Sequence, residues 1–325
     1  MEFILLTDLH LGTRNASMTW WKSQIDFLEN QLLPDIKSRP SKPNLICLGD
    51  VFDTRSSISV FIMHNTKKYF EHLAQYCNEI YIVCGNHDTY SEQTSEYCSL
   101  DLVFSGTVDN IHIVSQEIME LPQYNAVLIP WHAQKEVGIV QLSRDYKGKY
   151  IFTHSDIIMG NPKLATPVFS GHVHTPYING NVRNLGSCFA LNFADTDADR
   201  YYYIWDSETD DFRRIANEKS IHFWRIRNDE VLDMDFWASI GLYDYIEIYI
   251  KASLLTDETY QQICKNARAK FKNCWVIPLP DELNGEAIDI DCDMEGIIEQ
   301  SIPDDLKERF EYIKQKINER AEQEL

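Results

Sequence analysis

Several features that would narrow a protein's role are missing from this 325-residue chain. No apolar run approaches the roughly 18 residues needed to span a bilayer, so no membrane role is expected. The opening "MEFILLTDLH" lacks a basic n-region and reads as a first strand, not a signal peptide. The eight cysteines, at 47, 77, 84, 98, 188, 264, 274 and 292, include no CxxC pair. Without a disulfide framework they read as reduced, mostly buried thiols, which points to a cytoplasmic location, or the host cytoplasm for a phage protein. Basic charge is also short: 30 Lys and Arg face 50 Asp and Glu, for a net charge of -20. Residues 201–325 alone hold 28 acidic and 15 basic residues. The chain therefore offers no broad electrostatic surface for a polyanion. Contact with nucleic acid would have to run through cations in an acidic pocket or through a basic partner. There is no internal repeat and no low-complexity segment.

What is present describes a globular protein, with 44% hydrophobic and 12% aromatic residues and enough length for two domains. Strand candidates over the first two hundred residues are "EFILLTD", "NLICLGD", "EIYIVCGN", "NIHIVS", "AVLIPW", "YIFTHS", "PVFSGH" and "RYYYIWD". Helical patterns fall in "WWKSQIDFLENQLLPDIK", capped by Ser17 or Thr19, and in "SISVFIMHNTKKYFEHLAQYC". In the second, Val60, Met63, Phe70, Leu73 and Cys77 make the apolar face. Strands alternating with helices predict an α/β layered domain over 1–217. From 218 the style changes. "YDYIEIYIKAS", "TDETYQQICKNARAKF" and "NCWVIPLP" read as a small β-α-β domain over 218–285. An acidic linker and a charged helix with a narrow Phe310, Ile313, Ile317 stripe fill 286–325.

The informative pattern is where the apolar strands stop. They end at Asp8 and His10, at Asp50, at Asn86 and His87, at His154, and at His172 and His174. In open α/β sheets that carboxyl edge is where ligands bind. Residues two apart on an extended chain share a face, so Asp8 and His10 can point the same way, as can His172 and His174. Imidazoles, carboxylates and an amide oxygen without thiolate suit manganese, iron or zinc, and argue against a closed structural zinc site. The donors exceed what one ion needs. Two ions about 3.5–4 Å apart, sharing a carboxylate, would use them all. Gly49, Gly85 and Gly171 precede ligands, where a side chain would crowd the cations. A lone histidine at a strand end is usually a surface residue, and "GNHD" alone could be an Asx turn. The ordered set of five is what outweighs those readings. His64, His72, His112 and His222 read as ordinary residues, while His132 after "IPW" is a candidate to support a ligand from behind.

The motifs "TDLHLG", "LGDVFD", "CGNHD", "FTHSD" and "GHVH" resemble the calcineurin-like metallophosphoesterase superfamily. More narrowly they are similar to its SbcD-type nuclease branch of double-strand break repair, including the bacteriophage recombination version. The resemblance implies a four-layer sandwich of two mixed sheets flanked by helices, with a small capping domain and a helical tail. It implies two divalent cations, Mn(II) by preference. Asp8, His10 and His174 would hold one, Asn86, His154 and His172 the other, and Asp50 both. His87 would act on the scissile phosphate. It also implies DNA as substrate for exonuclease and endonuclease cleavage, an SbcC-type ATPase docked on residues 286–325, and a homodimer, with Ser56 to Tyr76 as a plausible contact. Asp53 stands where many cellular members carry a histidine linked to the exonuclease reaction, and is a second candidate for a supporting role. The protein phosphatase branch typically continues to "DRG" and "GNHE", against "DTR" and "GNHD" here. A stand-alone phosphatase or phosphodiesterase for small molecules or phosphoproteins is the competing expectation.

Overall fold

A computed structural model describes residues 1–91, 93–155, 164–195 and 199–281. The chain divides into two units, Met1–Leu279 and Pro280–Leu325. Nearly all of the second unit, including the expected linker and docking helix at 286–325, lies outside the described residues, as does most of the loop between His154 and His172.

Two six-stranded mixed sheets form the body of the first unit. Across the first run Phe212–Ala216, Tyr201–Asp206, Glu2–Leu6, Asn44–Cys47, Ile80–Val83 and Ile111–Val114. Across the second run Tyr177–Asn179, Val182–Asn184, Val168–Gly171, Tyr150–His154, Ala126–Ile129 and Met119–Leu121. The central strands are fully buried, which is why they read as continuous apolar runs.

Strand periodicity separates the layers. Phe3, Leu5, Ile46, Leu48, Tyr81 and Val83 face Leu128, Phe152 and Phe169 of the other sheet, with Trp205 among them. Their neighbours Ile4, Leu6, Leu45, Cys47, Ile80 and Ile82 turn outward onto the helices Met18–Phe27, Val60–Leu73 and Ser99–Phe104. On the far side Val127, Ile129, Ile151 and Val168 pack with Leu142 and Ile139 from the helix Ile139–Asp145. Helix, sheet, sheet, helix is the four-layer α/β sandwich.

The first long helical pattern is broken by a wide π-helical stretch at Leu28–Leu32. Pro34, with no N–H and a ring that would clash one turn back, follows that stretch and accounts for the widening. Ser17 occupies the cap position there, without a side-chain bond. The second helix departs from expectation at its start. Val60 is 80% exposed, and the buried face is Ile62, Thr66, Tyr69, Phe70 and Leu73. All seven described cysteines are free, and six are buried.

A third sheet of three parallel strands, Phe223–Arg227, Tyr245–Lys251 and Asn273–Leu279, carries the helix Glu258–Lys270. Asp257 caps that helix by accepting from the amides of Thr259 and Tyr260. Tyr260, Cys264 and Ala267, at helical spacing, bury against Ile246, Ile248 and Ile250. The first strand of this sheet, "FWRIR", is not among the strands expected from the sequence, because Trp224 and Ile226 alternate with Arg225 and Arg227 over too few positions to stand out.

Candidate metal centre

Each predicted donor lies at or just beyond a strand's carboxyl end, three strands coming from the first sheet and two from the second. Asp8 and His10 follow Glu2–Leu6, Asp50 follows Asn44–Cys47, and Asn86 and His87 follow Ile80–Val83. His154 ends its strand, and His172 and His174 follow Val168–Gly171.

The donors converge into two sets. In one, His10 Nε2 lies 3.9 Å from Asp8 Oδ1, and His174 Nε2 lies 3.8 Å from the same oxygen. In the other, Asn86 Oδ1 is 2.9 Å from His154 Nε2 and 2.8 Å from His172 Nδ1, and those nitrogens are 3.3 Å apart. Asp50 stands between. Its Oδ2 is 3.7 Å from His10 Nε2 and 3.4 Å from His154 Nε2. A third triad, His10, Asp50 and His87, also lies within coordinating reach.

The convergence does not come from strand alternation. Asp8, His10, Asp50 and His172 all take left-handed backbone angles, with φ of 51°, 44°, 51° and 83°. Such angles are uncommon outside glycine and gather at functional sites. The expectation that His172 and His174 share a face therefore fails. The turn at His172 sends it toward Asn86 while His174 faces Asp8.

The glycines behave as the sequence suggested. A Cβ on Gly85 would collide with the Asp50 carboxylate, and one on Gly171 with Thr7 and Asp8. Gly49, at φ 92°, would with a Cβ strike the Gly85 backbone and the His154 ring.

Hydrogen bonds fix tautomers and aim. His154 Nδ1 donates to the Leu48 carbonyl at 2.7 Å, which turns Nε2 toward the cluster. His87 Nδ1 donates to the Asp53 carbonyl at 2.5 Å, and its amide donates to Asp50 Oδ1 at 2.8 Å. Asp53 also brings Oδ1 to 3.4 Å from His10 Nδ1. His132 is buried at the start of the helix Trp131–Val137, and its Nε2 has no hydrogen-bond partner among the described residues.

Sequence reasoning passed over several supports. Asp88 accepts from four amides, those of Asp50 and Gly85 on one oxygen and of Val51 and Phe52 on the other. It ties together the two loops that carry Asp50 and Asn86. Its place after "GNH" was the available signal. Gln24 donates to the carbonyls of Leu9 and His10, and Ser187 donates to that of Asp8.

Burial and charge oppose each other here. Burial alone would raise the Asp50 carboxyl, but His154, with His10 and His87, holds it far below the usual range. Burial would lower His154, yet the Asp50 carboxylate overrides it and raises the ring to about 9. His10 is raised against burial by Asp53, Asp50 and Asp8. His174 is lowered, chiefly by burial. Burial, with the Asp50 charge, pushes Asp88 up to about 7 against its backbone donors.

The residues fit a pair of cations. Both ring nitrogens of His10 are buried without an aligned hydrogen bond. Such groups are costly unless something else takes them up. Three donors 2.8–3.3 Å apart match the spacing around an ion bound at about 2.0–2.2 Å. Asp8, His10, Asp50, Asn86 and His154 form a buried floor, while His87, His172 and His174 are partly exposed around it.

One consequence is a pH dependence. In the metal-free chain the raised His154 pKa stabilises the fold fully below about pH 6.5 and loses that contribution as pH rises through about 9. A cation must displace the same proton. Apparent metal affinity should therefore climb across pH 6.5–9, with proton release visible in calorimetric titrations in buffers of different ionisation enthalpy. A flat affinity over that range would contradict it.

The chain is 24% identical over 248 residues to exonuclease subunit 1 of Enterobacteria phage T4, covering 68% of this chain and 69% of that protein. A solved archaeal structure, described as a novel phosphodiesterase, covers 66% of this chain and 99% of its own, at 15% identity and a TM-score of 0.39. Among the described residues no helix is long and apolar enough to cross a membrane. The family model for calcineurin-like phosphoesterases matches residues 1–176, more than half of the chain and a span containing every donor described above. This protein therefore belongs to the calcineurin-like phosphoesterase family, whose members are metal-binding hydrolases.

Proposed function

We propose that the chain is a manganese-dependent DNA phosphodiesterase, the nuclease subunit of a recombination and repair complex. The observation that carries this reading is the Asp50 carboxylate, with one oxygen within 3.7 Å of both His10 Nε2 and His154 Nε2. Asp8, His10 and His174 would hold one cation, Asn86, His154 and His172 the other, and Asp50 would serve both. When bound, such a pair neutralises phosphate charge and acidifies water for in-line attack. His87 serves the leaving side. Its Nδ1–H is anchored on the Asp53 carbonyl, which leaves Nε2 as the free ring nitrogen; in the imidazolium form its Nε2–H can give a proton to the departing oxygen or stabilise its charge. Asp53 steadies His10 and the carbonyl that orients His87.

The DNA assignment draws on the likeness to a phage exonuclease subunit. By the same reasoning an SbcC-type ATPase is the partner, docking on 286–325. A homodimer would form through the stretch around Val60 and Phe61, which are 80% and 44% exposed. The working compartment would be the cytoplasm. The net charge of -20 favours one alternative, a stand-alone enzyme for small phosphodiesters. An assay with manganese on linear duplex and single-stranded DNA, against a nitrophenyl phosphodiester, separates the two. Cleavage of DNA is expected. Turnover of the small ester alone, with DNA untouched even when the ATPase is present, would give the alternative the case.

A further inference from the structure

Behind the partly exposed His174 lies the buried guanidinium of Arg200. The Arg200 side chain is 1% exposed. Its Nη1 donates to the His174 carbonyl at 2.6 Å, and its Nη2 to the Asp195 carbonyl at 3.0 Å, with Asp195 Oδ1 at 3.1 Å. Asp195 is itself held by the amides of Leu191 and Asn192. On either side of His174, Asn184 Nδ2 donates to the carbonyls of Val173 and Thr175, at 2.7 and 2.8 Å. Three consecutive carbonyls are thus gripped by two buried side chains, and the Ser187 amide adds a second bond to His174.

We propose that Arg200, with Asn184, is a positioning device for His174, on which one of the two cation sites depends. The two sites differ in how their ligands are held. The His172 amide donates to the Asp8 carboxylate at 3.1 Å, and His172 Nδ1 meets Asn86 Oδ1, so it needs nothing from Arg200. His174 is the more exposed ligand, 26% at its side chain, and it lies beyond the end of its strand, where the sheet no longer fixes it. The guanidinium fork spans the His174 carbonyl and Asp195 together, which a single ammonium cannot do in the same geometry. The commitment of both side chains to this loop lies in Arg200 Nη1 and Nη2 and Asn184 Nδ2, while Arg200 Nε and Asn184 Oδ1 are buried without hydrogen-bond partners among the described residues.

The inference rests on the two-cation reading, and the experiment separates their failures. Manganese alone is titrated into the full-length wild type, Arg200→Lys and Asn184→Ala, by calorimetry and by electron paramagnetic resonance. Thermal melts of each metal-free protein accompany the titrations. Wild type should bind two ions per chain with a spin-coupled signal. Each variant should keep one site unchanged and lose about tenfold or more at the other, with the coupled signal giving way to isolated Mn(II). Two ions in wild type and unchanged sites in both variants would overturn the role given to Arg200. So would joint loss of both sites with a lowered melting temperature, the mark of a merely structural residue. Fewer than two ions in wild type would defeat the two-cation reading itself, and this inference with it.

Discussion

Asp50→Asn is expected to empty both cation sites at once. The substitution keeps size and shape, and the new amide oxygen can still accept the His87 N–H that Asp50 Oδ1 now takes at 2.8 Å. That leaves an NH₂ group where Oδ2 sits, between His10 Nε2 and His154 Nε2. A donor then faces each cation in place of a shared negative charge. The loss of affinity should exceed the roughly hundredfold that follows removal of a mere supporting group, and phosphodiester cleavage should fall with it. His174→Ala provides the contrast, because the His174 ring stands with Asp8 and His10 in one of the two donor sets. One site should weaken and the other persist. Metal content by elemental analysis after dialysis reads both. Two retained ions in Asp50→Asn would mean that the carboxylate does not bridge.

His87→Ser should do the opposite: metal content stays at the wild-type level while turnover falls about 10²–10⁴-fold, the range expected for a lost general acid. The separation follows from the bonding. The contact that steadies Asp50 comes from the His87 backbone amide, which the substitution leaves in place. The ring is anchored on the Asp53 carbonyl and packs edge-on to His10, with centroids 4.9 Å apart. Steady-state rates on a substrate with an activated leaving group should be much less affected than on DNA, since a good leaving group needs little proton donation. If one ion is lost in His87→Ser, the third triad of His10, Asp50 and His87 is a true binding site and His87 is a ligand instead.

The floor of the site could be read from the sequence because each donor closes an apolar strand. Burial of a strand on both faces leaves a continuous hydrophobic run, and the first polar residue after it marks the sheet edge. The same logic exposed Gly49, Gly85 and Gly171, whose missing Cβ atoms make room for Asp50, His154 and Asp8. The path of the chain beyond the edge was not legible. Four donors sit at positive φ, a choice imposed by tertiary packing that no local propensity announces. Asp88 and Arg200 were missed for a related reason. Their partners are backbone groups brought near by the fold, and a carbonyl or amide leaves no trace in the residue letters.

Elements with weak patterns were missed as well. The hairpin Thr89–Ser91 and Thr94–Cys98, just after the Asn86 loop, is largely polar and offers no apolar alternation. The helices Trp131–Val137 and Ile139–Asp145 are each seven residues, too short for a clear period. Val60 lies across its helix from the buried Ile62, Tyr69 and Leu73 and so points to solvent.

The most direct test is anomalous scattering from crystals grown with manganese. Two peaks about 3.5–4 Å apart are predicted. One should fall among Asp8, His10 and His174, the other among Asn86, His154 and His172, with Asp50 touching both. A single peak, or two peaks that share no carboxylate, would contradict the account.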